Sequence, residues 1–222
     1  MMTAVFDLDG TLYTGDITKG IASHHIRHRT KLFNLVAYYV IHMSMWRLMQ
    51  MGFLPEQETR ERFAADMGWT IAGWTEKRAA QAFYWVADNY VLPKLRPEVN
   101  SRLQYHKTSG HRLMLVSGTC SPLLSCIGSR LGISETVGTS LMMKNGKYTG
   151  RSISPTCQGL YKVQLLKEYV AKTTPIQWDA SFAYADSKTD IPLLECFGHP
   201  VATYPDAELA AYATERNWEI ID

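Results

Sequence analysis

The chain has 222 residues, with 23 Lys and Arg against 21 Asp and Glu and a formal net charge of +2. That length allows one well-filled core plus an insertion, and the near-neutral balance excludes a nucleic-acid footprint carried by charge alone. The composition is that of an ordinary globular protein. Cys120, Cys126, Cys157 and Cys196 show no paired metal-ligand spacing and read as reduced thiols of a cytoplasmic protein. The N-terminus enters an acidic motif without a basic-then-apolar leader, so no signal peptide is expected.

That motif is Thr3-Ala4-Val5-Phe6-Asp7-Leu8-Asp9-Gly10-Thr11-Leu12. An apolar run ends in Asp7 and is broken by Gly10 and Thr11, the pattern of a short buried strand. Asp7 and Asp9, two apart, leave the same face of an extended backbone. Two such carboxylates need a cation, a shared proton or a substrate, and a hard oxygen-seeking ion such as magnesium is the simplest. Asp7 then suits a nucleophile and Asp9 a general acid and base. The alternative is a solvated Asp-Gly turn.

Asp16 follows as a candidate N-cap. Basic residues 24–31 read as a solvated face, the histidines lacking a metal-site partner set. Leu32 to Leu54 is apolar nearly all round a helix, but Asn34, His42, Ser44, Arg47 and Gln50 interrupt it, so no transmembrane span is expected. It reads as helix buried inside a cap, with a membrane-surface helix flanked by Arg27, Arg29 and Lys31 as the other reading. Residues 55–95 read as helical, including one helix over Glu76 to Tyr90, with Arg60 and Arg62 as anion contacts from the cap or, as is commoner for such residues, surface charges. A helix over 98–109 leads to a buried strand ending at Ser117-Gly118-Thr119. The Ser117 hydroxyl and free backbone N–H groups such as that of Gly118 then form a phosphate cradle, or Ser117 caps the next helix. Residues 139–150 read as a hairpin turning at Asn145-Gly146. Lys162 sits at a helix start, where a cation opposes the macrodipole and needs a compensating partner; a bland surface lysine is the alternative. A further apolar strand ends in Asp186, with Asp190 four residues on, and a strand, a helix and a last strand close the chain. Strands ending in polar residues with helices between them predict an α/β fold with a doubly wound, Rossmann-like parallel sheet and a site beyond the strands' carboxyl ends.

Asp7-Leu8-Asp9-Gly10-Thr11 resembles the first motif of the haloacid dehalogenase-like hydrolases. The order of the later segments is similar to the branch with phosphoserine phosphatase-like enzymes (subfamily IB type). The resemblance spans nearly the whole chain outside roughly residues 17–95, where only the idea of an all-helical cap carries over. It implies a core of residues 1–13 plus 97–222 and a helical cap, 14–96, inserted after the first strand. It implies that Asp7 accepts the phosphoryl group and Asp9 is the acid/base. Ser117, Gly118 and Lys162 would bind phosphate, and Asp16 would face the substrate. Magnesium would lie among Asp7, the Asp9 backbone carbonyl and Asp186, with Asp190 and Thr11 supporting those ligands. Lys188-Thr189 departs from the Gly- or Asn-rich wording common there, which leaves Asp186 intact and the place of Asp190 less secure. The expected activity is magnesium-dependent hydrolysis of a small phosphomonoester such as phosphoserine or histidinol phosphate, through an aspartyl-phosphate. The alternatives are a lipid-like phosphate with peripheral membrane contact, or a phosphotransferase or mutase using the same intermediate. The partner is a small phosphorylated substrate, not a nucleic acid.

Overall fold

A computed structural model describes residues 1–222. β1 (Thr3–Phe6) is followed by α1 (Ile17–His28), α2 (Leu32–Gln50), α3 (Glu56–Asp66) and α4 (Glu76–Val86). α5 (Pro97–Thr108), β2 (Arg112–Cys120), α6 (Ser121–Leu131), β3 (Glu135–Thr139) and the hairpin β4 (Leu141–Lys144) and β5 (Lys147–Ser152) come next. α7 (Leu160–Ala171), β6 (Phe182–Ala185), α8 (Ile191–Leu194), β7 (His199–Thr203), α9 (Ala207–Glu215) and β8 (Glu219–Ile221) complete the chain. Six strands form one parallel sheet in the order β3-β2-β1-β6-β7-β8. β1 is central, with Val5 in register with Met114 on one side and Ala183 on the other. The chain winds outward through β2 and β3, then returns to the opposite side of β1. The switch in direction lies between β1 and β6, where such sheets open a crevice at the strands' carboxyl ends.

Strand alternation divides the core. Phe6, Leu115 and Tyr184 lie on one face of the sheet, in the same apolar cluster as Ile17, Ile71, Phe83 and Ile127. Val5, Met114 and Ala183 lie on the other, with Leu166, Leu193 and Leu209. Both faces are covered, which is why these parallel strands read as continuous apolar runs rather than alternating ones.

The segment between β1 and α5 is helical throughout, as expected, but three local readings are corrected. The strip 24–31 is only in part a solvated face: Ile26, Arg27, His28 and Arg29 are exposed, but His24 and His25 are buried, with the His25 ring 5.3 Å from that of Trp74. Apolar neighbours brought in from α4 and the turn before it cover that side of α1. α2 is one helix, yet only Leu35, Tyr38 and His42 on it are buried; its opposite side is in solvent, so the expected burial of Leu32 to Leu54 does not hold. The helix from Glu76 ends at Val86 and continues as a π turn over Ala87–Val91. No helix is long and apolar enough to cross a membrane.

The hairpin turns at Asn145-Gly146, both with positive φ (50° and 70°), as a two-residue hairpin turn requires. Thr139 belongs to β3 instead. The hairpin docks on the helical insertion. The Gly73 N–H donates to the Tyr148 carbonyl at 2.7 Å, and the Tyr148 N–H donates to the Trp74 carbonyl at 2.9 Å. A strand pair thus ties the helices to the sheet.

Candidate active site

Asp7 stands one residue beyond β1, and its N–H donates to the Tyr184 carbonyl at 2.9 Å, extending the β1–β6 ladder. Its side chain is therefore fixed at the switch point, almost wholly buried. Lys162, in the first turn of α7 and equally buried, places Nζ 2.7 Å from Asp7 Oδ1 and 2.6 Å from Asp190 Oδ1. That is the compensating partner which a cation at a helix start requires. Burial opposes the ammonium charge, but Asp190 and Asp7 together outweigh it and hold the Lys162 pKa above its ordinary value.

Asp186 lies one residue beyond β6. Thr11 Oγ1 donates to its Oδ1 at 3.1 Å. Gly10, with φ 76°, leaves room for this carboxylate: a Cβ there would stand 2.1 Å from Asp186 Oδ2. Burial first, then the charges of Asp7 and Asp190, push Asp186 up to about 7. Burial, partly offset by Lys162, pushes Asp7 up to about 6. Oxygens of Asp7, Asp186 and Asp190 lie within 4.8 Å of one another, and one ammonium faces three carboxylates. Surplus negative charge on an all-oxygen donor set fits a hard divalent cation such as magnesium. The carboxylate that joins Asp7 and Asp186 is Asp190, while the Asp9 side chain is engaged elsewhere.

Asp9 Oδ1 accepts from the Tyr13 hydroxyl at 2.5 Å and from the Ile17 N–H at 2.8 Å. Oδ2 lies 3.4 Å from Thr119 Oγ1. Burial pushes this carboxyl up to about 8 against the pull of the Tyr13 hydrogen bond. Two short contacts on Oδ1, against one longer contact on Oδ2, make Oδ2 the oxygen on which a proton would sit. Ser117, in β2, is buried and accepts from the Thr119 N–H at 3.3 Å. Cys120, not Ser117, stands at the N-cap of α6, so the capping alternative for Ser117 does not hold. Gly118 lies against Gln158: a Cβ there would stand 2.0 Å from Gln158 Nε2, the end of a flexible side chain that would have to shift. Asp16 is the N-cap of α1, accepting from the Thr18 N–H at 2.7 Å, and it also borders the cleft.

These residues share one cleft of ≈ 760 Å³. Asp7, Asp9, Ser117, Lys162, Asp186 and Asp190 form its floor, and Met43 and Trp46 of α2 with Arg60 and Phe63 of α3 form its roof. Three contributors, Tyr13, Gln158 and Arg96, escaped the sequence reading, and Thr119, named there only as the end of the Ser117-Gly118-Thr119 run, joins them. Tyr13 and Thr119 hold Asp9, Gln158 lies against Gly118, and Arg96 donates to the Gly10 carbonyl at 2.8 Å while stacking on Tyr204. No pattern marks Tyr13, Gln158 and Arg96, because each is brought in from a loop, whereas Thr119 stands two residues after Ser117 in β2. Arg60 fits both of its readings. It does pair with Glu56 at 2.9 Å, but it also borders the cleft. Arg62 pairs with Asp66 at 2.6 Å.

The family model for haloacid dehalogenase-like hydrolases matches residues 4–195. The chain belongs to this family of enzymes. It is 26% identical over 222 residues to a histidinol-phosphatase of Neisseria meningitidis serogroup C, covering 99% of this chain and 97% of that one. Among solved structures it is similar to a protein of unknown function from Bordetella pertussis Tohama I, with a TM-score of 0.83, 22% identity and coverage of 100% and 99% of the two chains. It is also similar to a substrate-bound phosphoserine phosphatase, with a TM-score of 0.66, 16% identity and coverage of 99% and 92%. These two likenesses establish the fold.

Proposed function

We propose that this hydrolase is a magnesium-dependent phosphomonoesterase that works through an aspartyl-phosphate on Asp7 and acts on an amino-alcohol phosphate. One observation carries the reading: a buried carboxylate at the sheet's switch point, paired with a buried lysine, with a second carboxyl two residues on that is held by Tyr13, Ile17 and Thr119 and lines the same cleft. An Asp7 oxygen attacks phosphorus as the bond from phosphorus to the ester oxygen breaks. Asp9 gives its proton to the departing alkoxide, and its hydrogen bonds from Tyr13 and Ile17 hold it in place. Water then attacks the same phosphorus, Asp9 takes the proton back, and the bond to Asp7 breaks to release inorganic phosphate. Ser117 Oγ, the Gly118 N–H and Lys162 Nζ hold the phosphoryl oxygens, and Lys162 stays charged throughout. Asp7 and Asp186, with Asp190 beside them, would hold magnesium, which supplies charge shielding between nucleophile and phosphate.

The substrate class rests on the cleft's other end. Asp16 offers a carboxylate to an ammonium group, while Met43, Trp46 and Phe63 offer apolar and aromatic contact. An ammonium beside a flat ring suits histidinol phosphate, which agrees with the name of the Neisseria relative. Phosphoserine would instead seek Arg60, which Glu56 already occupies. Phosphate release from histidinol phosphate, phosphoserine and a short-chain lysophosphatidate, with magnesium and with EDTA, tests the reading. The expected order places histidinol phosphate first, with no turnover in EDTA. Turnover unaffected by EDTA, or transfer to an acceptor without release of inorganic phosphate, contradicts it.

A further inference from the structure

α2 has two apolar sides, and only one has a partner. Leu35, Tyr38 and His42 face the protein. Phe33, Val36, Val40, Ile41, Leu48 and Met51 are all exposed, Phe33 at 85% and Met51 at 68%. At 100° per residue, Phe33, Val36 and Val40 fall on one side of the helix with Ile41 and Leu48 beside them and Met51 at its C-cap, and the exposed Ser44 and Arg47 interrupt that side in the second half. The stripe runs the length of a 19-residue helix, roughly 28 Å at 1.5 Å per residue. Ile26 and Phe53, at its two ends, are also exposed. So many exposed apolar side chains on one side of a helix mark an interaction site, densest over its first half.

Charge decides what covers it. From Ile17 to Pro55 the sequence has no acidic residue, although the chain has 21. The same stretch carries Lys19, Arg27, Arg29, Lys31 and Arg47, none of them in an ion pair. Arg29 and Lys31 occupy left-handed backbone (φ 51° and 48°) in the tight link between α1 and α2, which holds cations at the head of the stripe beside Phe33. A self-complementary dimer through this face would bring two acid-free cationic surfaces together with nothing to neutralise them. An anionic bilayer neutralises them and takes up the apolar side chains.

We propose that α2 is a membrane-docking helix, which lies in the headgroup layer of an anionic bilayer with its Phe33–Met51 stripe in the acyl boundary and its flanking cations on lipid phosphates. It lies on the bilayer rather than crossing it, consistent with its limited hydropathy. The roof of the cleft, through Met43 and Trp46, belongs to the same helix, so docking sets the cleft beside the bilayer surface.

The test is vesicle sedimentation of the full chain with phosphatidylcholine alone and with phosphatidylcholine containing phosphatidylglycerol. Binding to the anionic vesicles only, weakened by salt, is expected. Val40→Asp and Phe33→Asp should abolish it, and each arginine replaced in Arg27→Gln and Arg29→Gln should weaken partitioning about fivefold. None of these residues touches the cleft, so melting temperature and hydrolysis of a soluble aryl phosphate should not change, which separates loss of docking from loss of fold or of catalysis. Equal binding to neutral vesicles, or no binding at low ionic strength, overturns the proposal. A dimer in light scattering that Val40→Asp converts to monomer, without vesicle binding by either form, overturns it too and makes the stripe an interface between copies.

Discussion

Lys162 is one cation serving two buried carboxylates, and removing it shows what the arrangement costs. Lys162→Met keeps the side-chain volume but leaves Asp7 and Asp190 facing each other without a partner. Breaking a buried pair costs about 3–5 kcal/mol, so urea unfolding at pH 8 in EDTA should show a loss of that order. Magnesium should restore part of it. An unchanged urea midpoint in EDTA would mean that the 2.6 and 2.7 Å contacts carry little energy. Asp9 makes a different prediction. In Asp9→Asn the amide cannot shuttle a proton, so both formation and breakdown of the phosphoenzyme should slow, as rapid quench would record. Unchanged rates of both steps would remove Asp9 from the chemistry. Gly10 links the two acidic loops. Gly10→Ala adds a Cβ 2.1 Å from Asp186 Oδ2 and strains a left-handed backbone by about 1 kcal/mol. Hydrolysis should fall far more than the melting temperature, and the apparent magnesium affinity should weaken with it.

At the scale of elements, burial of three histidines sets an acid limit on stability. Burial pushes His24, His25 and His106 down to about 4, with neighbouring cationic or imidazole charge adding to the effect. The unfolded chain takes up protons below about pH 6.5 that the folded chain refuses down to about pH 4, so their contribution is full above pH 6.5 and is lost as the pH falls. The raised carboxylates of the cleft act in the opposite sense, so the measurement is a difference. His106→Phe loses hydrogen bonds to Tyr184 and His111 but also escapes the proton penalty. Its destabilisation relative to wild type should shrink between pH 7.5 and pH 5. A constant difference would show that His106 titrates normally. Those histidines also mark what sequence could convey. The strands were legible because each apolar run ends in a polar residue, at Asp7, Ser117 and Asp186, and the hairpin because Asn145-Gly146 permits only a few turns. The environment of α1 and α2 was not legible. A helix that is apolar all round gives no phase, so which side is covered depends on α3 and on the turn over Met67–Ile71, which arrive later in the chain. Likewise Gln158 reaches the cleft, and Tyr13 and Arg96 brace Asp9 and Gly10 behind it, through loop geometry that leaves no periodic trace.

For the molecule as a whole, the helical insertion and the sheet meet across the cleft. Lys188, just after Asp186, pairs with Glu56 of α3 at 3.0 Å and with Glu208 of α9 at 2.7 Å. This exposed link spans the mouth, while the hairpin anchors the insertion on its other side. In the proposed reaction the floor would carry the reacting groups and the roof the groups that meet the rest of the substrate. The central claim is that phosphate passes through a covalent bond to Asp7. Single-turnover reaction with histidinol phosphate and magnesium, quenched in acid, reduced with borohydride and mapped by peptide mass spectrometry, tests it directly. The account predicts homoserine at position 7, the product of reducing an acyl phosphate, and unmodified peptide from Asp7→Asn protein. Reduction product at another carboxylate, or full turnover by Asp7→Asn, would contradict it.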